Sequence, residues 1–417
     1  MAKAADKPLF TEAIEPADQA ELAQAVRDAA AASTPVYPVG GGTAMNFGLA
    51  IKRPGIRLSL AKLNRVVEYP ARDMTITVEA GITLAALAEV LAQERQRLAV
   101  DAAQASQATL GGLIATNFSG PRRYGCGTIR DYVIGMTAVD GRGVAFHGGG
   151  RVVKNVAGYD FCKLLTGSLG TLGVISQVTL KLKPTPEASA LVACEVSDAS
   201  QADHLLAALG QSKTTPAAVE LFACGARNSS EPVFLQSPGP AGYKLAVGLE
   251  GTSTEVNWMV DRLQSEWKEL GVDRSDVLAD AAAAPAWSEL VEFPSQPAGG
   301  MVLRAAVLPS NVLRFMEEVL QVDAGAALLS HAGNGVVLVR LDSVSPAELP
   351  GLLVQRLQPL AASLGGNIVV YAAPDECGLT RQTQWGTATA DATLMRSVQE
   401  QFDPQGVLNP GRFVYGK

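Results

Sequence analysis

Glycine is concentrated in one part of this chain. Fifteen of the 41 glycines lie between Gly111 and Gly173. Glycine weakens helices and strands, so this density indicates backbone that closely approaches a bound group or takes positive φ values. The stretch is followed by Pro184-Thr185-Pro186, a combination that stops regular structure and predicts a boundary between two domains.

The length of the chain also predicts two domains. A single hydrophobic core stops growing at about 250–300 residues, and this chain has 417. We therefore expect an α+β domain over residues 1–186 and a second α+β domain over residues 187–417. In the second domain the hydrophobic pattern predicts the order β-α-β-β-α-β, a ferredoxin-like arrangement, present once or twice.

The composition excludes several classes of protein. Hydrophobic residues make up 47% of the chain and charged residues 18%, which is typical of a folded protein. The net charge of −7 argues against a nucleic-acid surface. No apolar run predicts a membrane span, and the first residues lack the apolar stretch of a secretory signal. The sequence thus predicts a cytoplasmic protein.

The chain has few side chains that could carry redox or metal chemistry alone. No two of its cysteines form a C-x-x-C pair, and its three histidines lie far apart. We therefore expect neither an iron–sulfur cluster nor a metal site within this chain. The residues concerned are Cys126, Cys162, Cys194, Cys224, Cys377, His147, His204 and His331. Such a protein has to bind a cofactor to perform redox chemistry.

The first candidate for cofactor binding is a glycine loop. A predicted strand ends at Val39 and is followed by Gly40, Gly41, Gly42 and Thr43. Closely spaced backbone N–H groups and a threonine hydroxyl favour an anion such as a phosphate. The loop is neither a Walker A motif nor a G-x-G-x-x-G motif, and an ordinary glycine turn is the alternative.

The second candidate segment opens a stretch of small residues. Its candidate contacts are Thr109, Leu110, Gly111, Gly112, Asn117, Ser119, Gly120 and Arg122. Paired glycines ahead of a helical stretch allow backbone to lie against a phosphate or a ribityl chain, and close helix packing is the alternative. Arg122 and Arg123 favour binding of phosphate or substrate, with a surface pair as the alternative.

The third candidate segment has three glycines at a spacing of three, ahead of a β-branched strand. Its candidate contacts are Gly167, Gly170, Gly173, Val174 and Ile175. This spacing allows a flat ring system to lie against bare backbone, and the strand amides are expected to hydrogen-bond the edge of such a ring.

These three segments, in this order and spacing, resemble the FAD-binding domain of the vanillyl-alcohol oxidase / p-cresol methylhydroxylase (PCMH) superfamily, over about residues 1–185. Lys154–Asp160, Ser119–Arg123 and Asn409–Arg412 further resemble the FAD-binding subunit of bacterial glycolate oxidase, also called glycolate dehydrogenase. The resemblance implies a PCMH-type domain of two α+β subdomains and a second domain like the C-terminal domain of FAD-linked oxidases. It also implies that tail 402–417 returns to the first domain.

The same resemblance implies roles for the segments and a chemistry. The glycine loop holds the FAD pyrophosphate, and the other two segments line the cofactor and pack on it. A hydride passes from the α-carbon of a 2-hydroxy acid to the flavin while a base takes the hydroxyl proton. The substrate carboxylate needs an arginine or lysine. Lys154 is a candidate for that role or for neutralising a reduced flavin, and a solvated lysine is the alternative.

The chain departs from catalytic relatives in the second domain. Those relatives carry two histidines in the pattern His-x-Gly-Asp-Gly-Asn-x-His, whereas this chain keeps only His331, followed by Ala-Gly-Asn-Gly-Val-Val. A single histidine does not provide the usual ligands of a divalent metal. His331 is either a general base at a strand end or, as we favour, a histidine hydrogen-bonded in a domain interface.

Three functions follow. The leading hypothesis is an FAD-binding subunit of a heteromeric glycolate dehydrogenase that oxidises glycolate to glyoxylate. Its partners are a homologous catalytic FAD subunit and an iron–sulfur subunit, through which the complex could associate with the inner membrane. The first alternative is a self-sufficient FAD-dependent D-2-hydroxy-acid dehydrogenase that uses His331 as base. The second alternative is a non-catalytic structural subunit with a decayed FAD site.

Overall fold

A computed structural model describes residues 9–150, 158–224, 233–235, 242–295, 300–387 and 391–414. The chain divides into two compact units, each made of more than one segment. The first unit comprises Met1–Phe118, Thr128–Pro184 and Thr387–Lys417, and the second comprises Ser119–Gly127 and Thr185–Gly386. The expected domains, 1–186 and 187–417, stay a prediction; the contacts assign the short segment Ser119–Gly127 to the second unit.

The described residues contain strands β1 to β18 and helices α1 to α14. The strands are Phe10–Ile14, Val36–Val39, Gly55–Ser59, Val66–Glu68, Thr75–Glu79, Gln96–Arg97, Val133–Val139, Ala145–Gly149, Val174–Lys181, Lys183–Pro184, Ala188–Val196, Ala218–Cys224, Tyr243–Gly251, Asp276–Ala279, Met301–Ala306, Ala327–His331, Val336–Leu341 and Asn367–Ala372. The helices are Gln19–Ala31, Leu84–Ala92, Leu110–Thr116, Arg123–Cys126, Ile129–Tyr132, Phe161–Leu165, Ala199–Leu209, Ser253–Glu269, Ala284–Glu292, Val312–Val322, Leu349–Leu352, Gln358–Ser363, Arg381–Trp385 and Ala392–Phe402.

The first unit contains a small parallel sheet in the order β1-β3-β2. Helix α1 begins where the Asp18 side chain accepts hydrogen bonds from two backbone N–H groups, and it buries Leu22 and Val26. The tail extends this sheet, because the Val36 N–H donates to the Val407 carbonyl and the Asn409 N–H donates to the Val36 carbonyl, both over 2.8 Å. Strand β2 therefore begins beside the tail.

The larger sheet of the first unit has five strands in the order β4-β5-β9-β7-β8. The alternating pattern of β9 predicts one polar face, but the strand lies between β5 and β7 and nearly all its side chains are buried. A second difference concerns residues 131–139, whose sequence predicts one strand that begins at Asp131. The Asp131 carboxylate accepts hydrogen bonds from the Thr128 backbone N–H and hydroxyl, so helix α5 precedes β7.

The second unit is built around one eight-stranded sheet in the order β14-β11-β13-β12-β16-β17-β15-β18. Strands β11 to β14 and β15 to β18 each form a β-α-β-β-α-β unit, and within each unit the first strand lies between the third and the fourth. All pairings in this sheet are antiparallel. The predicted α+β class is confirmed, and the ferredoxin-like arrangement occurs twice, joined through β12 and β16.

The two faces of this sheet differ. One face packs against α7, α8 and α10 through a large apolar cluster. The other face packs against α9 through a smaller cluster that includes Trp287 and Phe293. Glu220, His331 and Arg304 alternate along their strands with members of the large cluster, which places them on this second face. The second face thus carries charge as well as an apolar core.

Candidate functional site

The glycine loop of the first unit lies directly against the segment before α3. A Cβ atom on Gly40 would lie 2.1 Å from Thr109 Oγ1, and one on Gly41 would lie 1.7 Å from the Gln107 carbonyl oxygen. Gly42 has a φ of +77°, a conformation that side chains disfavour. Each of the three glycines is therefore required by local geometry.

A cavity of about 100 Å³ opens where this loop meets α3. Of the predicted contacts, its lining includes Gly40, Gly41, Gly42, Thr43, Thr109 and Gly112. It also includes Pro38, Val39, Ala44, Met45, Phe47, Ala115, Thr116, Leu169, Asn409 and Arg412. Sites that enclose whole ligands span several hundred Å³, so this cavity suits one part of a dinucleotide, such as its diphosphate.

The third predicted segment reaches the same place through its first half. The backbone N–H groups of Gly167 and Leu169 donate to the Ile114 and Ala115 carbonyls over 2.9 Å, which holds the segment along α3. Gly167 and Gly170 have φ values of +83° and +70°. This turn brings Leu169 into the cavity lining. The three segments identified from sequence therefore meet in the first unit.

Other predicted contacts lie away from the cavity lining. Leu110 and Gly111 pack inward, and a Cβ atom on Gly111 would lie 3.0 Å from Ala80. Val174 and Ile175 are buried within β9, paired with β7, and Gly173 precedes them beside the Val139 carbonyl. Their predicted role in cofactor binding stays a prediction.

The tail supplies lining residues that the site prediction did not include. The Asn409 side-chain amide donates to the Leu169 carbonyl over 2.6 Å. The buried Arg412 guanidinium donates to the Met45 and Phe47 carbonyls over 2.7 and 2.6 Å. The signal was present in the sequence, because Asn409–Arg412 is the closing segment on which the resemblance partly rests.

Two residues that are adjacent in sequence to the cavity lining have an unsatisfied polar atom. Asn117 Oδ1 and Ser168 Oγ are buried and have no hydrogen-bond partner within the described part of the chain. Asn117 follows the lining residue Thr116, and Ser168 precedes the lining residue Leu169. Buried polar atoms are normally paired. The site thus combines unpaired donors and acceptors, the glycine loop Gly40–Gly42 and the nearby Arg412. This combination fits the polar, anionic part of FAD.

In the second unit, His331 is bound to a buried carboxylate. It lies at the end of β16, directly across from Glu220 of β12. His331 Nδ1 is 2.8 and 2.9 Å from the two Glu220 carboxylate oxygens. The two residues are 2% and 1% exposed. His331 Nε2 is buried and has no partner among the described residues.

An arginine without a carboxylate partner lies on the same face of the sheet. Arg304 is in the middle of β15, and no carboxylate pairs with it in the part of the chain that the structure describes. Burial lowers the pKa of Arg304, and the nearby Arg123 lowers it further. Burial also raises the pKa of Tyr371, which lies near Arg304. An excess of positive charge sheltered from water favours binding of an anion.

The remaining predicted site residues lie elsewhere. Arg122 donates to Glu250 over 2.6 Å and stacks over the Trp287 ring at 4.1 Å, both in the second unit. Ser119 and Gly120 belong to the same segment of that unit. Lys154 lies outside the described residues. Their predicted roles therefore stay predictions.

Two properties of the structure concern metals and membranes. Among the described residues, no group of three or more His, Cys, Asp or Glu side chains is arranged to hold a metal ion. No helix in the described ranges is long and apolar enough to cross a membrane.

Two family profiles match parts of the chain. The profile of the FAD binding domain matches residues 11–149, and that of the C-terminal domain of FAD linked oxidases matches residues 378–413. A D-2-hydroxyglutarate dehydrogenase of Xanthomonas citri pv. viticola is 28% identical over 95% of this chain and 88% of its own length. Glycolate oxidase subunit GlcE of Escherichia coli is 33% identical over 42% of this chain and 50% of its own length.

A solved structure shows the same fold. The chain matches an alkyldihydroxyacetonephosphate synthase with a TM-score of 0.70 and 17% identity, over 95% of this chain and 75% of the other.

Proposed function

We propose that this chain, an FAD-linked oxidoreductase with the FAD-binding and C-terminal domains of that family, oxidises a 2-hydroxy acid to the corresponding 2-oxo acid. One relative, which aligns with most of the chain, is named for D-2-hydroxyglutarate, and another, which aligns with part of it, is named for glycolate. Glycolate is the substrate we propose first, with glyoxylate as product. The observation that carries the proposal is the cavity at which three glycine-rich segments and the tail meet.

The first unit has the residues to hold FAD. The backbone of Gly40–Thr43 binds the diphosphate, since these N–H groups are closely spaced and carry no side chains that would obstruct it. The Thr109 hydroxyl and the Arg412 guanidinium add donors to the same cavity. Asn117 and Ser168 satisfy their buried polar atoms with the cofactor. When bound, FAD supplies the two-electron oxidant for the α-carbon of the substrate.

The second unit has the residues to hold the hydroxy acid. Arg304 binds the substrate carboxylate, because a sheltered guanidinium without an acidic partner gains most from such a ligand. Arg123 adds positive charge near the same position. His331 takes the hydroxyl proton. Separate side chains on one face of the sheet thus bind the substrate carboxylate and accept its hydroxyl proton.

We further propose that the chain works in a complex with a homologous flavoprotein subunit and an iron–sulfur subunit. No two of its five cysteines form a C-x-x-C pair, so we expect no iron–sulfur cluster within this chain, and electrons leave through a partner. The relative named as a glycolate oxidase subunit supports this arrangement. Such a complex gives a cytoplasmic protein that reaches the inner membrane through its partners.

The second candidate is a self-sufficient D-2-hydroxy-acid dehydrogenase. It uses the same base, His331 beside Glu220, and differs from the first candidate in needing no partner subunit. The observation that favours it is the relative named for D-2-hydroxyglutarate, which aligns over 95% of the chain.

Anaerobic reduction tests these alternatives. The purified chain is mixed without oxygen with glycolate, D-lactate, L-lactate or D-2-hydroxyglutarate while flavin absorbance is recorded. Bleaching of the isolated chain supports the self-sufficient enzyme, and bleaching only after copurification with partners supports the subunit. A flavin that no 2-hydroxy acid reduces, alone or in the complex, contradicts the proposed function. A chain that contains no flavin supports the structural subunit with a decayed site.

A further inference from the structure

The Glu220–His331 pair determines which ring nitrogen of His331 carries the proton. A carboxylate only accepts hydrogen bonds, so the Nδ1 atom that lies 2.8 Å from Glu220 carries the proton. In the neutral ring Nε2 then bears the lone pair. That atom is buried and lacks a partner among the described residues. Buried polar atoms are normally paired, which indicates a missing donor.

The backbone fixes where this nitrogen lies. His331 is the last residue of β16, paired with Glu220 on one side and with Val336 on the other. The turn that follows contains Gly333, and a Cβ atom there would lie 2.2 Å from the Tyr124 ring. The histidine is therefore held by its own strand, by a carboxylate and by a packed turn.

Several charged or titratable side chains lie on the elements around this histidine. Those on the strands, turn and helix that contact β16 and the turn after it are Glu220, Cys224, Arg340, Arg123, Tyr124 and Cys126. On the same face of the sheet, β15 carries Arg304 and helix α9 carries Glu289 and Glu292. Cys224 and Arg340 pair with Ala327 at the opposite end of β16. Glu220 is thus the group in direct contact that sets the charge and tautomer of the ring.

We infer that Glu220 is a positioning residue that holds His331 as a general base, so that the chain removes the substrate hydroxyl proton without a divalent cation. This inference rests on the proposed function. The hydroxyl O–H bond breaks and its proton bonds to His331 Nε2. The α-hydrogen leaves as a hydride with its electron pair, to the FAD already named as oxidant, and a carbonyl forms. The ring becomes an imidazolium whose charge the Glu220 carboxylate balances.

Loss of the hydroxyl proton can be assisted by a metal ion or by a base. A divalent cation polarises the hydroxyl. A carboxylate–histidine pair performs the same task with a base in place of a Lewis acid. The chain therefore needs no second histidine beside His331.

Glu220→Gln tests the inference, with the flavin spectrum as a measure of folding. A glutamine amide donates to Nδ1 and moves the proton to Nε2, which removes the base. In a serine-protease triad the equivalent change lowers the rate about 10⁴-fold, and we expect a loss of about 10²–10⁴-fold in flavin reduction here. Glu220→Asp should recover part of this loss. Ser330→Ala, in the same strand as His331 but on the other face of the sheet, is the matched control and should retain the wild-type rate.

A further measurement separates positioning from mere stability. Imidazole ¹⁵N chemical shifts report the tautomer directly, and only three histidines need assignment. We expect the Nδ1–H form of His331 in the wild type and the Nε2–H form in Glu220→Gln.

The outcomes distinguish this inference from the proposed function. A wild-type His331 in the Nε2–H form, or a Glu220→Gln variant with the wild-type rate, overturns the inference alone. Loss of flavin reduction on treatment with EDTA, restored by a divalent cation, also overturns it. A wild-type chain with the expected tautomer whose flavin no 2-hydroxy acid reduces overturns the proposed function and, with it, the catalytic role of His331.

Discussion

A single methyl group at Gly41 should remove most FAD affinity. A Cβ atom at this position would lie 1.7 Å from the Gln107 carbonyl oxygen and 2.5 Å from the Gln107 carbonyl carbon. Real Cβ atoms do not approach closer than 3.0 Å, so the loop or residue 107 must move by 3.0 − 1.7 = 1.3 Å. Both obstructing atoms are backbone atoms, and no side-chain rotation relieves the clash.

A displacement of this size breaks hydrogen bonds to a bound diphosphate. An N–H donor at 2.9 Å that retreats by such a distance lies beyond the range of a hydrogen bond. Hydrogen bonds to charged groups contribute about 1.5–3 kcal/mol each. Loss of two such bonds therefore weakens binding by about 3–6 kcal/mol, which raises the Kd for FAD about 10²–10⁴-fold.

Titration of flavin-free Gly41→Ala with FAD, followed by flavin fluorescence, measures this change. Two controls separate the clash from other effects. Gly42→Ala adds no contact within 4 Å but has a φ of +77°, and its strain of about 1–2 kcal/mol should weaken binding only about tenfold. Gly351→Ala, in the second unit and also without a contact within 4 Å, should bind as the wild type does. A wild-type Kd for Gly41→Ala refutes the reasoning.

Three further predictions concern the second unit and the tail. Arg304→Met should lower kcat/KM for the hydroxy acid about 10²-fold through the loss of a charge-assisted bond, with FAD content unchanged; stopped-flow reduction checks this, and an unchanged kcat/KM contradicts it. Arg412→Met removes the hydrogen bonds to the Met45 and Phe47 carbonyls. Thermal denaturation should therefore show a lower Tm, and the purified variant should retain less FAD. An unaltered Tm and flavin content would exclude a role of the tail in holding the glycine loop. Burial raises the pKa of the Asp403 carboxyl from its usual 3.8, so the stabilisation from the protonated carboxyl is fully present below the unfolded pKa and is lost as pH rises through the folded pKa. Over that pH interval the free energy of unfolding, measured by urea denaturation, should fall less steeply in Asp403→Asn than in the wild type. Equal slopes would contradict the assignment.

The repeating pattern of the second half made its fold predictable. Strands β15 to β18 and the helices between them follow hydrophobic periods long enough to read from the sequence. The strand predicted from Asp131 was wrong in its first residues because a local cap, the bond between Thr128 and Asp131, competes with the strand pattern. Burial of both faces of β9 could not be read either, since it depends on which strands lie beside it.

The glycine-rich part of the site could be predicted because its cause is local. Gly40 and Gly41 have no room for side chains, and Gly42 takes a positive φ. The resemblance implied the return of the tail, but the individual contacts of Arg412 and Glu220 could not be predicted, because their partners are distant in sequence. Arg412 meets the carbonyls of Met45 and Phe47 through the return of the tail, and Glu220 meets a histidine 111 positions later.

The binding of FAD by the isolated chain tests the central claim most directly. The measurement is a titration of the flavin-free, full-length chain with FAD, with stoichiometry from flavin absorbance and affinity from fluorescence. We predict one FAD bound per chain, with the affinity lost in Gly41→Ala and kept in Gly351→Ala. A correctly folded chain that binds no FAD, or binds it equally well with Gly41→Ala, would contradict this account.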